Sequence, residues 1–207
     1  MRQTKALFCA LLSLALCLAA LSALGELDVE MLEQLEGTVL QTEGVNTVIR
    51  SQNQPYIGSL NQEHTELCTF LDLVELPDMG DAVLLRLTLS LETWDPLGAD
   101  EITVTVGRKN YAFRVFPRTS EYDMTYYEDY ELYVTEPALP MIKTMSEGKA
   151  DSFMLTFLSR GHEITGWMEV DLSDVRRIYK AFVSAGGLKQ ALQGLEDAWP
   201  CDVESVK

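Results

Sequence analysis

Residues 82–93 read AVLLRLTLSLET and decide the fold class of this 207-residue chain. Leucines alternate strictly with polar residues from position 85 to position 92. Such alternation places one row of side chains in a core and the other in solvent, which is typical of a strand in an antiparallel sheet. We therefore predict a strand over Ala82–Thr93 with one buried face.

Short apolar or alternating runs, separated by turn residues, flank this strand on both sides. Residues 51–65 are polar, contain Pro55 and Gly58, and are predicted to form a loop. Strands that follow one another directly favour antiparallel pairing over parallel βαβ units. The further predicted strands are Thr38–Gln41, Asn46–Ser51, Leu67–Leu76, Ile102–Val106, Tyr111–Phe116, Tyr130–Thr135, Ser152–Leu158 and Glu163–Asp171. A helix is the alternative for Leu67–Leu76, but its short length and the turn residues that follow it favour a strand.

Helical spacing of apolar residues appears near both ends of the chain. Helices are predicted over Glu26–Gly37, from Ser173 to the Gly186-Gly187 stop, and over Leu188–Ala198. A shorter helix is predicted between Pro137 and Gly148. We expect a single α+β domain, mainly antiparallel β-sheet with a sandwich-like arrangement as the alternative, carrying a short N-terminal helix and two C-terminal helices.

The first 25 residues have the features of a secretory signal peptide. Arg2 and Lys5 precede an apolar stretch, and small residues at Ala23 and Gly25 fit a cleavage site. We predict a signal peptide over 1–25 and one exported α+β domain over 26–207. An uncleaved membrane anchor is the alternative, because the apolar run is just long enough to span a bilayer, and a lipoprotein signal at Cys17 is a third interpretation.

The chain is strongly acidic, with 16 basic and 32 acidic residues and a net charge of −16. Residues 1–25 hold two of the basic residues and no acidic ones, so residues 26–207 carry a net charge of −18. This charge argues against a nucleic-acid partner, which would require a basic surface. A charged partner is expected to be cationic, since residues 26–85 and 119–142 contain a single basic residue, Arg50.

Two cysteines, Cys68 and Cys201, remain after the signal segment. An even pair in an exported chain suggests one disulfide, and the alternative is a buried free Cys68 with an incidental Cys201.

Few residues suggest a catalytic or metal-binding site. His64 and His162 lie in polar loop and turn sequence, and no histidine or cysteine cluster has zinc spacing. The sequence has no phosphate-binding glycine motif, so we predict no catalytic residue and no cofactor. An exported hydrolase using a carboxylate pair, and a calcium-stabilised structural domain with a calcium turn at Asp95–Glu101, remain alternative functions.

The most unusual stretch is Glu121–Glu136, which is rich in tyrosine and acid. It is predicted as a loop that runs into a strand, and three roles are open: a solvated segment with packed rings, a surface that recognises a cationic partner, or a calcium site. The candidate interaction residues are Tyr122, Asp123, Tyr126, Tyr127, Glu128, Asp129, Tyr130, Glu131 and Tyr133.

The C-terminal part resembles the closing unit of several small exported bacterial proteins of uncharacterised function. The similar segments are Met141–Lys149, the hairpin Phe153–Val170 and the helix that ends at Ala185-Gly186-Gly187. The resemblance implies a bacterial source and brings no catalytic residue with it. Together these features predict a non-enzymatic exported binding module.

Overall fold

The structure, a computed structural model, describes residues 37–53, 55–61, 65–77, 82–187 and 199–206. These residues form twelve β-strands and two α-helices. The strands are β1 (Thr38–Glu43), β2 (Asn46–Ser51), β3 (Tyr56–Leu60), β4 (Thr65–Leu76), β5 (Ala82–Thr93), β6 (Glu101–Val106), β7 (Lys109–Arg114), β8 (Arg118–Tyr122), β9 (Thr125–Val134), β10 (Ser152–Ser159), β11 (His162–Glu169) and β12 (Cys201–Ser205), and the helices are α1 (Leu139–Ser146) and α2 (Leu172–Ser184).

All twelve strands belong to one antiparallel sheet. Its order is β12-β7-β6-β10-β11-β3-β4-β5-β9-β8. The long strand β4 pairs with β5 along one edge, while its other edge pairs first with β3 and then with β2, which carries β1. The mainly antiparallel sheet predicted from the alternation is therefore confirmed.

The inner face of the sheet holds the main core. The leucines at positions 85, 87, 89 and 91 of β5 all point into it. Tyr130 of β9 meets Phe157 of β10 edge to face, with ring centroids 5.8 Å apart, although these strands are not neighbours in the sheet. The sheet therefore curls around its core, and burial of each large apolar side chain contributes about 1.5–3 kcal/mol.

Helices α1 and α2 supply one side of this core. Met141 and Met145 of α1, and Ile178 and Phe182 of α2, are buried in it. Asp171 caps α2 by accepting a hydrogen bond from the Ser173 backbone N–H at 2.8 Å. The hydrogen bond from the Ser173 hydroxyl, and then this backbone contact, hold the pKa of Asp171 below its usual value.

The outer face carries a smaller apolar cluster. Val48 of the β1–β2 hairpin packs there against Val74, Leu84 and Tyr133, and Trp199 covers the cluster from the side. Glu43, at the tip of this hairpin, accepts a hydrogen bond from Arg86 of β5 at 2.9 Å, so the tip also lies close to the outer face of β5.

The structure corrects several sequence predictions. Tyr56–Leu60, predicted as loop, is strand β3, because Tyr56 and Leu60 point into the main core. The stretch predicted as a loop before Tyr130 is instead the hairpin of β8 and β9, and Cys201–Ser205 forms a strand that pairs with β7. Strands β3 and β12 gain backbone hydrogen bonds from β11 and β7, which are distant in the sequence, whereas β8 and β9 pair with each other across a tight turn.

Other predictions lie outside the described residues. These are the signal peptide over 1–25, the helical part of Glu26–Gly37 up to residue 36, and the helix over Leu188–Ala198. Neither of the two helices in the described residues is long and apolar enough to cross a membrane.

Candidate binding surface

Strand alternation divides the tyrosine-rich acidic segment between the two faces of the sheet. Glu128 and Tyr130 of β9 point inward and are fully buried. Tyr127, Asp129 and Glu131 point outward, in contact with β5 and β8. The sequence placed all of these residues on one candidate surface, so the structure corrects that grouping for Glu128 and Tyr130.

The two inward residues hold a turn. The Glu128 carboxylate accepts hydrogen bonds from the backbone N–H groups of Leu97 at 2.7 Å and Gly98 at 2.9 Å. The Tyr130 hydroxyl accepts from the backbone N–H of Ala99 at 3.1 Å. Burial raises the pKa of Tyr130 above its usual value. Glu128 therefore serves the fold by fixing the 95–99 turn.

The remaining tyrosines of the segment are spread over the surface and the outer cluster. Tyr122 is 76% exposed and ends β8, and Asp123 adopts a positive φ of +50° in the hairpin turn that follows. Tyr126 is half-buried on β9. Tyr133 is 6% exposed and stacks on Trp199, with ring centroids 4.1 Å apart. Tyr133 therefore also lies outside the exposed surface, because the apolar outer cluster covers it.

A buried network of charges lies beside Tyr133 on the outer face. Asp72, which is fully buried, accepts hydrogen bonds from Arg50 at 2.5 and 2.7 Å and from Arg86 at 2.9 Å. Arg86 also donates to Glu131 at 3.0 Å and to Glu43 at 2.9 Å. Burial alone would lower the pKa of Arg86, but its bonds and charges with Glu43 and Asp72 outweigh burial and raise it. Each charge therefore has a partner, and the network fixes β2, β4, β5 and β9 relative to one another.

A cleft of about 180 Å³ opens next to this network. Phe116 stands at its mouth and is 89% exposed. Arg118 is 75% exposed and donates a hydrogen bond at 3.2 Å to Glu131. The residues that line the cleft are Arg114, Val115, Phe116, Arg118, Asp129, Glu131, Tyr133 and Trp199.

A row of outward side chains crosses the middle of the sheet, and we call it the acidic row. It runs through Trp167 (β11), Ser59 (β3), Glu66 (β4), Glu92 (β5) and Tyr127 (β9), each directly opposite the next. All five residues are exposed. With strands about 4.8 Å apart, the two aromatic residues at its ends lie roughly 19 Å from each other.

The two glutamates at the centre of the acidic row carry like charges on neighbouring strands. Directly opposite like charges destabilise a sheet. Within the described part of the chain, neither Glu66 nor Glu92 forms an ion pair. Sequence reasoning did not single out Glu66, Glu92 or Trp167, because the alternation of β5 marks Glu92 as exposed but does not say what lies opposite it.

The thiol of Cys68 lies near the carboxylates of this surface. Burial raises the pKa of the Cys68 thiol, and the nearby carboxylates of Glu66, Asp129 and Glu92 raise it further. Since a thiol reacts through its thiolate, Cys68 is expected to alkylate slowly at neutral pH.

Neutralising one of these carboxylates should lower the pKa of Cys68. We expect Glu66→Gln to give roughly twofold faster alkylation of Cys68 at a fixed, mildly alkaline pH. Peptide mass spectrometry measures the rate at which Cys68 is alkylated. Glu163→Gln, an exposed change elsewhere on β11, should leave the rate unchanged. Equal rates in all three proteins would contradict the assigned origin of the raised pKa.

The two cysteines do not form the predicted disulfide. Both thiols are free. Cys68 lies on the outer face of β4, whereas Cys201 packs against the main core from β12, and the strands β7, β6, β10, β11 and β3 lie between them. Burial raises the pKa of Cys201 to about 12. Opposite faces of the sheet separate the two side chains.

The other residues considered for chemistry are scattered. His162 lines an open cavity of about 400 Å³ with Asp95 and Ser159, and the Ser159 hydroxyl donates to the backbone carbonyl of Leu97. His64 lies outside the described residues. Among the residues that the structure describes, no three histidine, cysteine, aspartate or glutamate side chains are grouped to hold a metal ion.

Comparison with known proteins gives no relative: no family model, no curated protein and no solved structure matches this chain.

Proposed function

We propose that this protein is an exported, non-enzymatic binding module that uses the acidic row to hold a lysine- or arginine-rich segment of a partner protein. The observation that carries the proposal is the pair of exposed glutamates, Glu66 and Glu92, held directly opposite each other between two exposed aromatic residues. Export rests on the features of residues 1–25.

The chemistry of the acidic row suits a cationic segment. A guanidinium or ammonium group between Glu66 and Glu92 would relieve the repulsion of the two carboxylates. Tyr127 and Trp167 offer ring faces on which a second and a third cation can stack. A ligand with positive charges spaced over roughly 19 Å could use both ends of the row.

Charge complementarity supports the same partner at longer range. The chain carries 32 acidic against 16 basic residues, which favours diffusional encounter with a basic protein. Asp129 adds a third exposed carboxylate beside the row, where it accepts a hydrogen bond from Ser90 at 2.6 Å.

The test is the binding of an oligo-arginine peptide, measured by calorimetry at two salt concentrations. We expect Glu66→Gln combined with Glu92→Gln to weaken binding roughly tenfold, because two surface ion pairs are lost. The matched control combines Glu136→Gln with Glu163→Gln, which changes the net charge equally at exposed sites away from the row and should have little effect.

Tyr127→Ala should weaken binding of the same peptide roughly threefold through the loss of a cation–π contact. If both double variants weaken binding to the same extent, the peptide responds to net charge alone, and the acidic row is not the binding surface.

A further inference from the structure

In the part of the sheet that the structure describes, strand β8 lies at one end and has an unpaired edge. All five of its residues, Arg118–Tyr122, are exposed. Within the described ranges, β8 pairs with β9 and with no other strand. Large exposed apolar or aromatic side chains stand at both ends of the strand: Phe116 at 89% before it, Tyr122 at 76% as its last residue, and Met124 at 80% after it. An open edge of this kind can accept a further strand.

We propose that two copies of this chain associate through β8, with the two strands antiparallel and Ser120 of each copy on the twofold axis. In an antiparallel pair, residues directly opposite each other point to the same face. This register places Arg118 opposite Tyr122 of the second copy, and Thr119 opposite Glu121 of the second copy. The guanidinium of Arg118 then meets an exposed phenol ring, a favourable pair.

The charged residues of β8 favour the Ser120-centred register over registers centred on other residues of the strand. Centring the pair on Arg118 or on Glu121 puts two like charges directly opposite each other, which is unfavourable. Centring it on Thr119 sets Pro117, which has no N–H group, opposite Glu121. The register at Ser120 pairs all five residues of the strand and leaves Pro117 outside the ladder.

Both ends of the strand gain contacts in the same arrangement. Phe116 lies just before β8, and Met124 lies in the turn just after it. Antiparallel pairing therefore brings Phe116 of one copy toward Tyr122 and Met124 of the other, where sulfur–aromatic and ring contacts bury exposed apolar surface. A five-residue strand forms a small interface, so the dimer is weak and depends on protein concentration.

The dimer would join two acidic rows. Ser120 of β8 stands directly opposite Tyr127 of β9, which is the end of the row. Pairing Ser120 with Ser120 of the second copy extends one row into the other, with the two Tyr127 residues three strand spacings, roughly 14 Å, apart. The association itself does not depend on what the acidic row binds.

Cysteine cross-linking tests the register. In the purified chain, Ser120→Cys should form a disulfide-linked dimer under mild oxidation, because directly opposite residues have Cα atoms about 4.5–5.5 Å apart. The controls are Thr119→Cys and Glu121→Cys. In the Ser120-centred register, each of these residues lies two positions along the strand from the same residue of the second copy. Their two Cα atoms are then roughly 8 Å apart, which is beyond disulfide reach. Circular dichroism checks that all three variants fold, and wild type corrects for the native thiols.

Sedimentation of the wild-type chain gives the second readout. We expect the weight-average mass to rise from monomer toward dimer with concentration, and Tyr122→Asp to shift the curve back to monomer. A wild-type chain that stays monomeric overturns the proposal. Cross-linking of Thr119→Cys or Glu121→Cys as fast as Ser120→Cys also overturns it, since the contact would not be the Ser120-centred pair.

Discussion

Asp72→Ala is expected to lower the free energy of unfolding by about 3–5 kcal/mol. The Asp72 carboxylate is fully buried and accepts from Arg50, from Arg86 and from the Thr88 hydroxyl at 3.2 Å. Its removal leaves two neighbouring guanidinium groups without their shared counter-charge, and the Arg86 side chain is only 2% exposed. Since domains are stable by about 5–15 kcal/mol, this change removes a large share.

Urea denaturation measures this loss. Asp72→Asn keeps the size and one acceptor oxygen, so it should cost less than alanine. The matched control is Arg118→Ala, which removes an exposed ion pair with Glu131 and should change stability by no more than about 1 kcal/mol. Equal losses for Asp72→Ala and Arg118→Ala would show that the buried network does not hold the strands together.

Glu128→Ala is the second change with a large expected effect, a loss of about 2–5 kcal/mol. The carboxylate is fully buried, and both of its oxygens accept backbone N–H groups of the 95–99 turn. Without it, the N–H group of Leu97 stays buried with no acceptor, and the N–H group of Gly98 loses its protein partner. The small alanine also leaves a cavity beside Tyr130.

Thermal and urea unfolding check this prediction against the next residue in the strand. Asp129→Ala removes an exposed carboxylate that only accepts from Ser90, so its effect should stay within about 0.5 kcal/mol. Glu128→Gln retains one carbonyl acceptor and should fall between the two. Similar stability of the Glu128→Ala and Asp129→Ala proteins would contradict the assigned role of Glu128 in the turn.

The candidate site was only partly readable from sequence. The tyrosine and acid content of Glu121–Glu136 singled out a segment in which Tyr127, Asp129 and Glu131 face outward. The first part of this segment was predicted to be a loop, and a loop has no regular alternation of buried and exposed side chains. The burial of Glu128 and Tyr130 was therefore not predicted. Glu128 and Tyr130 are of the same residue types as their exposed neighbours, so residue type alone could not distinguish the buried from the exposed side chains.

The sequence by itself determined the features that depend on near neighbours along the chain. The alternation of Ala82–Thr93 fixed a strand with a buried leucine face, and Gly44 and Gly107, with φ of +65° and +61°, marked two hairpin turns. Helical spacing likewise placed apolar residues of Leu172–Ser184 on one face. These patterns are local because side-chain direction follows the backbone period.

Only the tertiary structure decided which strands meet. Arg50 and Asp72 are 22 residues apart, and Arg86 and Glu131 are 45 residues apart, yet all four belong to one network. The pairing of Glu66 with Glu92 likewise depends on the register of β4 against β5. A shift of one residue would turn every side chain of a strand to the other face, so the register is set by the buried face as a whole and not by the residues that form the candidate surface.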